Sequence, residues 1–321
     1  MRSFFLLILC VLNGFVIAPL VQALDYPERP IHLIVPYPPG GAADNTARVL
    51  APRLGEMLGH LLVIDNRSGA SGIIGADLVA KSTPDGYTLL HDASAFTVNP
   101  ALRKLPFDPI NDLAPVAKLM RSPNMIVVNP SLAASTTKEL IELARTQPGR
   151  ITMGSSGYGS APHMAGELFQ YMTKVQFLHV PYKGGGLVYP DLLGGQVMMF
   201  IGSIASALPH VQANKLKGIA LTSSKRSKSA PSIPTVAESG VPGYEIYEWN
   251  ALYAPIKTPR PIIQKLNAQM NQLLETPDVQ QRFFQMGAEV ELLSPEALRT
   301  YVQSEMAKWK KTVTAMDIKT E

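Results

Sequence analysis

The strongest constraint on this chain is a regular exchange between short, β-branched apolar runs and longer amphipathic ones, with turn residues at each change. A strand-like run at Ile31–Pro36 is followed by a helical pattern over 43–58 and a short apolar run at Leu61–Ile64. A helix from Ile73 to Lys81 then stops before the turn Pro84-Asp85-Gly86, and a strand follows at Tyr87–Leu90. This is a β-α-β-α-β half-domain, the arrangement of a mainly parallel sheet with helices on its faces. A second set starts near Met125, where Thr136 and Glu139 form a capping box ahead of a helix that ends at Pro148-Gly149. The pattern restarts at Ile151–Met153. Strand runs at Phe177–His179, Val197–Ile201 and Lys217–Thr222 alternate with helices near 161–173, 187–194 and 204–213. Proline-rich connectors over 229–243 lead to an extended segment, Tyr244–Ala254, and to two or three C-terminal helices expected to return to the first half.

The N-terminus has the charge, core and cleavage site of a secretory signal peptide. Arg2 precedes an apolar run, Phe4–Leu12, that is too short to span a bilayer, and the cut is expected after Ala23. Residues 1–23 are therefore set aside from the fold. The cut removes Cys10, the one cysteine of the chain, so neither a disulfide nor a thiolate nucleophile or metal ligand is expected afterwards. The remaining length suits two lobes on the usual prior of roughly 100–200 residues per domain. The net charge of +4 is spread over interspersed signs, and the densest basic stretch, Lys225, Arg226 and Lys228, lies among serines as a solvated loop would. No nucleic-acid footprint is present.

Two loops could carry chemistry. The first, Val35-Pro36-Tyr37-Pro38-Pro39-Gly40-Gly41-Ala42-Ala43-Asp44, joins a buried strand to a helix. Prolines stiffen it, Gly40 and Gly41 clear side chains away, and the helix start offers unpaired N–H groups at the positive end of its dipole. The result is an anion site that needs no cationic side chain, with Gly41 expected to be intolerant of bulk; an ordinary strand-to-helix turn reads the same way. Neither a Walker loop nor a G-x-G-x-x-G fingerprint is present. The second loop, Gly154-Ser155-Ser156-Gly157-Tyr158-Gly159-Ser160, again follows a strand and precedes a helix. A carboxylate gripped by both loops would favour closure of two lobes around it. A serine-hydrolase elbow, G-x-S-x-G, fails on spacing because Tyr158 stands where the last glycine must be. His163 and Glu167 are four apart on a helix, yet no further ligands are identifiable, so neither metal nor cofactor is expected. Lys183 lies in the loop Pro181-Tyr182-Lys183-Gly184-Gly185-Gly186, either against the ligand or at the rim.

The ordered combination of VPYPPGGAADNTAR, NRSGASGIIGADLVAKSTPDGYTLL, NPALRKLPFDPINDLAPV, GSSGYGSAPHMAGELF, VPYKGGG with DLLGGQV, and SALPHVQANKLKGIALTS spans essentially the whole mature chain. It resembles the substrate-binding proteins of tripartite tricarboxylate transporters, also called the Bug family. The resemblance implies a two-lobed α/β periplasmic binding protein of type II, a Venus flytrap with its ligand in the interdomain cleft. Residues 24–124 and 246–321 would form domain 1, and 125–245 domain 2. It implies a binding protein and not an enzyme, located in the periplasm and monomeric, that takes a small organic carboxylate. That molecule would pass to a permease of one large and one small membrane subunit, or the loaded form would dock on a sensor kinase. Backbone groups and waters at Tyr37, Pro39, Gly40, Gly41, Ala43 and Asp44 would hold the carboxylate. Ser155, Ser156, Gly157, Tyr158 and Gly159 would oppose them, and Ser94 and Lys183 are weaker carry-overs. Departures from the family pattern at Ser68, Ser71, Leu187-Val188 and Met198 bear on the ligand. If Met198 or Phe200 reaches the cleft, an aromatic or aliphatic mono- or dicarboxylate is favoured over an amino acid.

Overall fold

The computed structural model describes residues 26–318; the signal-peptide assignment falls outside them. Among the described residues nine strands run in the order β2-β1-β3-β9-β4-β7-β5-β6, with β8 pairing off β4. On one side lie β1 (Ile31–Val35), β2 (Leu62–Asn66), β3 (Thr88–Ala93) and β9 (Tyr247–Pro255); on the other lie β5 (Thr152–Ser155), β6 (Leu178–Pro181), β7 (Met199–Ser203) and β8 (Lys217–Leu221). β4 (Leu113–Val128) joins them: its first part pairs antiparallel with β9, and Asn124–Val128 pairs with β7. β1 pairs parallel with β2 and β3, and β5 pairs parallel with β6 and β7.

Each half of the sheet is covered on both faces. In β1, Ile31, Leu33 and Val35 face one core while Ile34 faces another, the period-two alternation of a strand buried on both sides. Helix α1 (Ala42–Leu58) presents Ala43, Ala47, Leu50, Leu54 and Leu58 to the first core at helical spacing, and Gly59 ends it in a left-handed cap at φ +77°. Helices α8 (Arg260–Leu274) and α9 (Pro277–Gln285) complete that face. On the opposite face, α2 (Ile73–Ala80) packs with Phe96 of α3 (Ala95–Leu102). In the other half, α4 (Thr137–Thr146) and α5 (Ala161–Thr173) cover one face, while α6 (Val188–Leu193) and α7 (Ile204–Gln212) cover the other. Among the described residues no helix is long and apolar enough to cross a membrane.

Helix α10 (Pro295–Met316) departs from the expectation that the C-terminal block returns wholly to the first half. Leu298 and Val302 pack with Trp249 and Tyr253, but Trp309 and Val313 lie in the core of the second half beside Phe169 and Tyr244. A helix of 22 residues is about 33 Å long at 1.5 Å per residue, enough to reach across both. α3 also straddles the halves, with Val98 and Leu102 in the second core.

The chain crosses between the halves twice, at 122–124 and near Ile246, and one side chain joins the two crossings. Thr222 is fully buried; its hydroxyl accepts the Asn124 N–H at 2.8 Å and donates to the Ile246 carbonyl at 2.8 Å.

Candidate functional site

The strands β1, β3, β5 and β7 all end where helices α1, α3, α5 and α7 begin, and those ends converge between the two halves. Crevices at the carboxyl ends of strands are the usual ligand sites of such sheets, because helix N-termini and short loops gather there. The two glycine-rich loops read from the sequence are linked at this place through neighbouring segments. The Ser71 hydroxyl, on a 3-10 turn at Ala70–Gly72, donates to the Tyr158 carbonyl across the gap. Asn99 on α3 donates to the Ser71 carbonyl at 3.0 Å, and a methyl group on Gly184 would touch Pro38 at 3.5 Å.

The first loop is anchored by Asp44. Its buried carboxylate accepts the Gly40 N–H at 2.9 Å, Arg48 Nε at 2.8 Å and Asn66 Nδ2 at 2.9 Å. Burial raises its pKa, but the bonds from Arg48, Gly40 and Asn66 outweigh that and hold it below the usual carboxylate value. Asp44 is thus turned into its own loop, and the Gly40 N–H is spent on it. Gly41 donates to the Pro38 carbonyl at 3.4 Å. No side chain caps α1 among the described residues, so the first-turn N–H groups of Ala42 and Ala43 stand at the positive end of the helix dipole without a side-chain acceptor. Gly40, at φ +82°, needs glycine; Gly41, at φ −75°, does not, and a methyl there would meet only Pro38 O at 3.5 Å. The expected backbone demand therefore sits one residue earlier. Pro39 is exposed on the loop surface.

Tyr37 lies at the floor of the gap and donates to Asp92 Oδ1 at 2.7 Å. Asp92, at the end of β3, also accepts the Ala93 N–H at 2.7 Å; burial, with the charge of Glu248 adding to it, pushes its carboxyl up to about 7. Ser94 follows, but its N–H and hydroxyl both point at Glu248 Oε1, at 3.3 and 3.2 Å. The antiparallel registers Ala93↔Asn250 and Ser122↔Glu248 bring this glutamate to the end of β3. Glu248 and Asp92 were not singled out by sequence reasoning, and Ser71 only as a departure from the family pattern, since each becomes informative only through pairing that joins distant segments.

The second loop is held from below. Ser155 is fully buried; its hydroxyl accepts the Gly157 N–H at 3.2 Å and lies 2.7 Å from His179 Nε2. The Gly159 N–H donates to His163 Nδ1 at 3.1 Å, and Ser160 caps α5 by accepting the His163 N–H. The two imidazole rings lie 4.2 Å apart and tilted, with Tyr158 at 4.5 Å from His163, and burial lowers them to about 3 for His163 and about 4 for His179, so both are neutral near pH 7. The Ser155–His179 contact is a support for the loop turn. Ser156 is half-buried beside Gly185, and Gly157 and Gly159 sit at φ +127° and +78°. Among the described residues no three His, Cys, Asp or Glu side chains group as metal ligands.

Lys183 is exposed on the loop after β6. Met198 lies away from the cleft: β7 pairs Ser203 with Asn124 at the crossing and Met199 with Val128 at the far end, so Met198 is five residues, roughly 17 Å, from the site, packed on the second core. Phe200 is buried under Gly185. Neither supplies the apolar wall considered from sequence. A small cavity of about 20 Å³ lies instead between Ala42 and Asn45 of α1, Ser203 at the end of β7, Ser206 of α7, Met120 and Glu248.

Residues 46–318 match the family described as the tripartite tricarboxylate transporter family receptor. Protein BugT of Bordetella pertussis is 38% identical over 91% of this chain and 91% of its own length. Three solved structures are also similar. R. palustris Rpa4515 with adipate has a TM-score of 0.88 at 36% identity, covering 91% of this chain and 99% of that one. The periplasmic binding protein BugD has 0.87 at 33%, covering 92% and 100%. MatC from Rhodopseudomonas palustris with bound malate has 0.83 at 31%, covering 90% and 100%.

Proposed function

The chain belongs to the tripartite tricarboxylate transporter receptor family, which includes the Bug periplasmic binding proteins, and from that premise we propose that it captures a small organic carboxylate in the periplasm for a permease of that transporter class. The observation that carries the reading is the approach of two strand-to-helix loops, one from each half of the sheet, with the uncapped start of α1 on one side and the Ser71–Tyr158 hydrogen bond bridging the halves. A carboxylate there would accept N–H groups at Ala42 and Ala43 and face the loop Ser155–Gly159 opposite, with Tyr37 beneath. Residues 24–124 and 246–321 would move as one lobe and 125–245 as the other, hinged near Asn124 and Ile246, with α10 tethering them. The chain would act as a monomer, exported by a signal peptide cut after Ala23. Adipate in Rpa4515 and malate in MatC make dicarboxylates the first probes.

A thermal-shift panel of mono-, di- and tricarboxylates, aromatic ones included, tests this. A ligand at 100 times its Kd stabilises by about 2.7 kcal/mol, several degrees for a chain of this size. A melt moved by a sugar, nucleotide or cation and by no carboxylate overturns the reading. Within the site, Lys183→Met should weaken carboxylate binding by about 1 kcal/mol or less, since an exposed cation is weakly coupled and screened.

A further inference from the structure

An acid stands beside the start of α1, where an anion is proposed to sit. Glu248 lines the same small cavity as Ala42 and Asn45 at the start of α1 and Ser203 and Ser206 at the start of α7. Its Oε1 takes the N–H and O–H of Ser94, the residue that precedes α3. Three helix N-termini therefore point at one region, and the carboxyl group standing among them belongs to the protein. The other groups that α1, β4 and α7 turn to the cavity, including Asn45, Ser122, Ser203 and Ser206, are neutral. A further acid within electrostatic reach of Glu248 is Asp92 on β3, which Tyr37 supplies with a hydrogen bond but no charge. The Asp44 carboxylate is matched by Arg48. Among the described residues no cationic side chain lines the cavity to offset a second negative charge.

Two carboxylates at close range in a site shielded from water cannot both be ionised; one of them keeps a proton. Resting on the carboxylate capture proposed above, we infer that Glu248 takes up one proton from solvent when a carboxylate enters the cleft and donates it as a hydrogen bond to that carboxylate. The balance is one ionised glutamate, one proton and one ligand carboxylate giving a neutral carboxylic acid hydrogen-bonded to the bound anion. Capture then follows external acidity, and a ligand released into more alkaline surroundings leaves its proton behind. The free carboxyl of Glu248 is already pushed up to about 7 by burial, although Ser94 and the Trp249 N–H pull the other way, so the uptake falls in the neutral range.

Isothermal titration calorimetry on the mature chain tests this with adipate or malate, or with whichever panel carboxylate binds more tightly. Titrations at pH 6 and pH 8 are run in buffer pairs of different ionisation enthalpy. Carboxylates with ordinary pKa values of about 4 are ionised at both pH values, so the ligand contributes no change of its own. With a group titrating near 7, affinity should fall about tenfold between pH 6 and pH 8, and close to one proton should be taken up at pH 8. Glu248→Gln keeps the shape and the acceptor for Ser94; it should bind with no proton uptake and an affinity flat across that range. Asp92→Asn should retain the pH dependence. Zero uptake in the wild-type chain overturns the inference without recourse to any variant. So does uptake that survives in Glu248→Gln and disappears in Asp92→Asn, which would place the proton on the other acid. If no carboxylate of the panel binds even at pH 6, capture and proton linkage fall together; binding that is indifferent to pH removes only the linkage.

Discussion

Asp44→Asn is the sharpest probe of how the first loop is held. The aspartate receives three donors, from Gly40 N–H and Arg48 Nε on Oδ2 and from Asn66 Nδ2 on Oδ1. An asparagine of the same shape has one acceptor oxygen and one NH2 group. Turned to keep Gly40 and Arg48, it faces its NH2 at the NH2 of Asn66. Flipping Asn66 relieves that clash but gives up its 3.0 Å bond to the Tyr37 carbonyl, so one buried polar group loses its partner either way. The two retained bonds also lose the negative charge of their acceptor. An orphaned buried donor costs about 1–3 kcal/mol, and charged hydrogen bonds are worth about 1 kcal/mol more than neutral ones. The Arg48 share is discounted because that side chain is 53% exposed and solvent replaces much of it. The expected loss is about 2–4 kcal/mol, a fall in Tm of roughly 5–10 °C at neutral pH. Calorimetric melts against pH supply the sign check. Asp44 has a folded pKa depressed below 3.8, so its contribution is present above that value and is lost as pH falls through the folded pKa; the difference between wild type and variant should shrink there. A variant melting within 1 °C of wild type at pH 7 would mean the carboxylate does not hold the loop.

Most strand and helix positions were legible because they rest on local pattern. The capping box at Thr136 is one case: its hydroxyl accepts the Glu139 N–H at 3.2 Å, while the Glu139 carboxylate reaches the Ser135 N–H, one residue before the cap. Two elements were hidden. Helix α3 contains Thr97, Val98 and Pro100, which argue against a helix locally, and packing of Phe96 and Leu102 into two cores outweighs that propensity. The first two thirds of β4 carries Pro115 and Pro123, which a central strand rejects; bulges near Pro115 and after Lys118 accommodate the irregular ladder.

The site divides along the same line. Both glycine-rich loops could be found because proline and glycine report backbone geometry directly, and Gly40, Gly157 and Gly159 do take left-handed φ values. What lies between the loops could not. Glu248 reaches Ser94 across 154 positions, and His179 reaches Ser155 across 24, through sheet registers that no single segment encodes. Asp44 looked like a ligand group because it ends the loop; only the three donors converging on it reveal a brace.

The remaining predictions concern the loop backbone and the crossing between the halves. Gly40→Ala should lose about 1–2 kcal/mol, because alanine at φ +82° is strained even in open space, whereas Gly41→Ala should be neutral or slightly stabilising in thermal melts. Equal losses at the two positions would contradict the φ assignment. The crossing is tested at Thr222, whose hydroxyl accepts from Asn124 N–H and donates to Ile246 O, both at 2.8 Å and both out of reach of water. Thr222→Val keeps the side-chain volume, so no cavity opens, but it removes the partner of two buried backbone groups on the two strands that cross. Each orphaned group costs about 1–3 kcal/mol, giving about 2–6 kcal/mol in all. Thr222→Ser retains both bonds and loses one methyl group, about 1 kcal/mol. Denaturant melts of the pair separate hydroxyl from bulk. If valine proves no worse than serine, the hydroxyl is not what joins Asn124 to Ile246, and a hinge placed at those residues loses its physical basis.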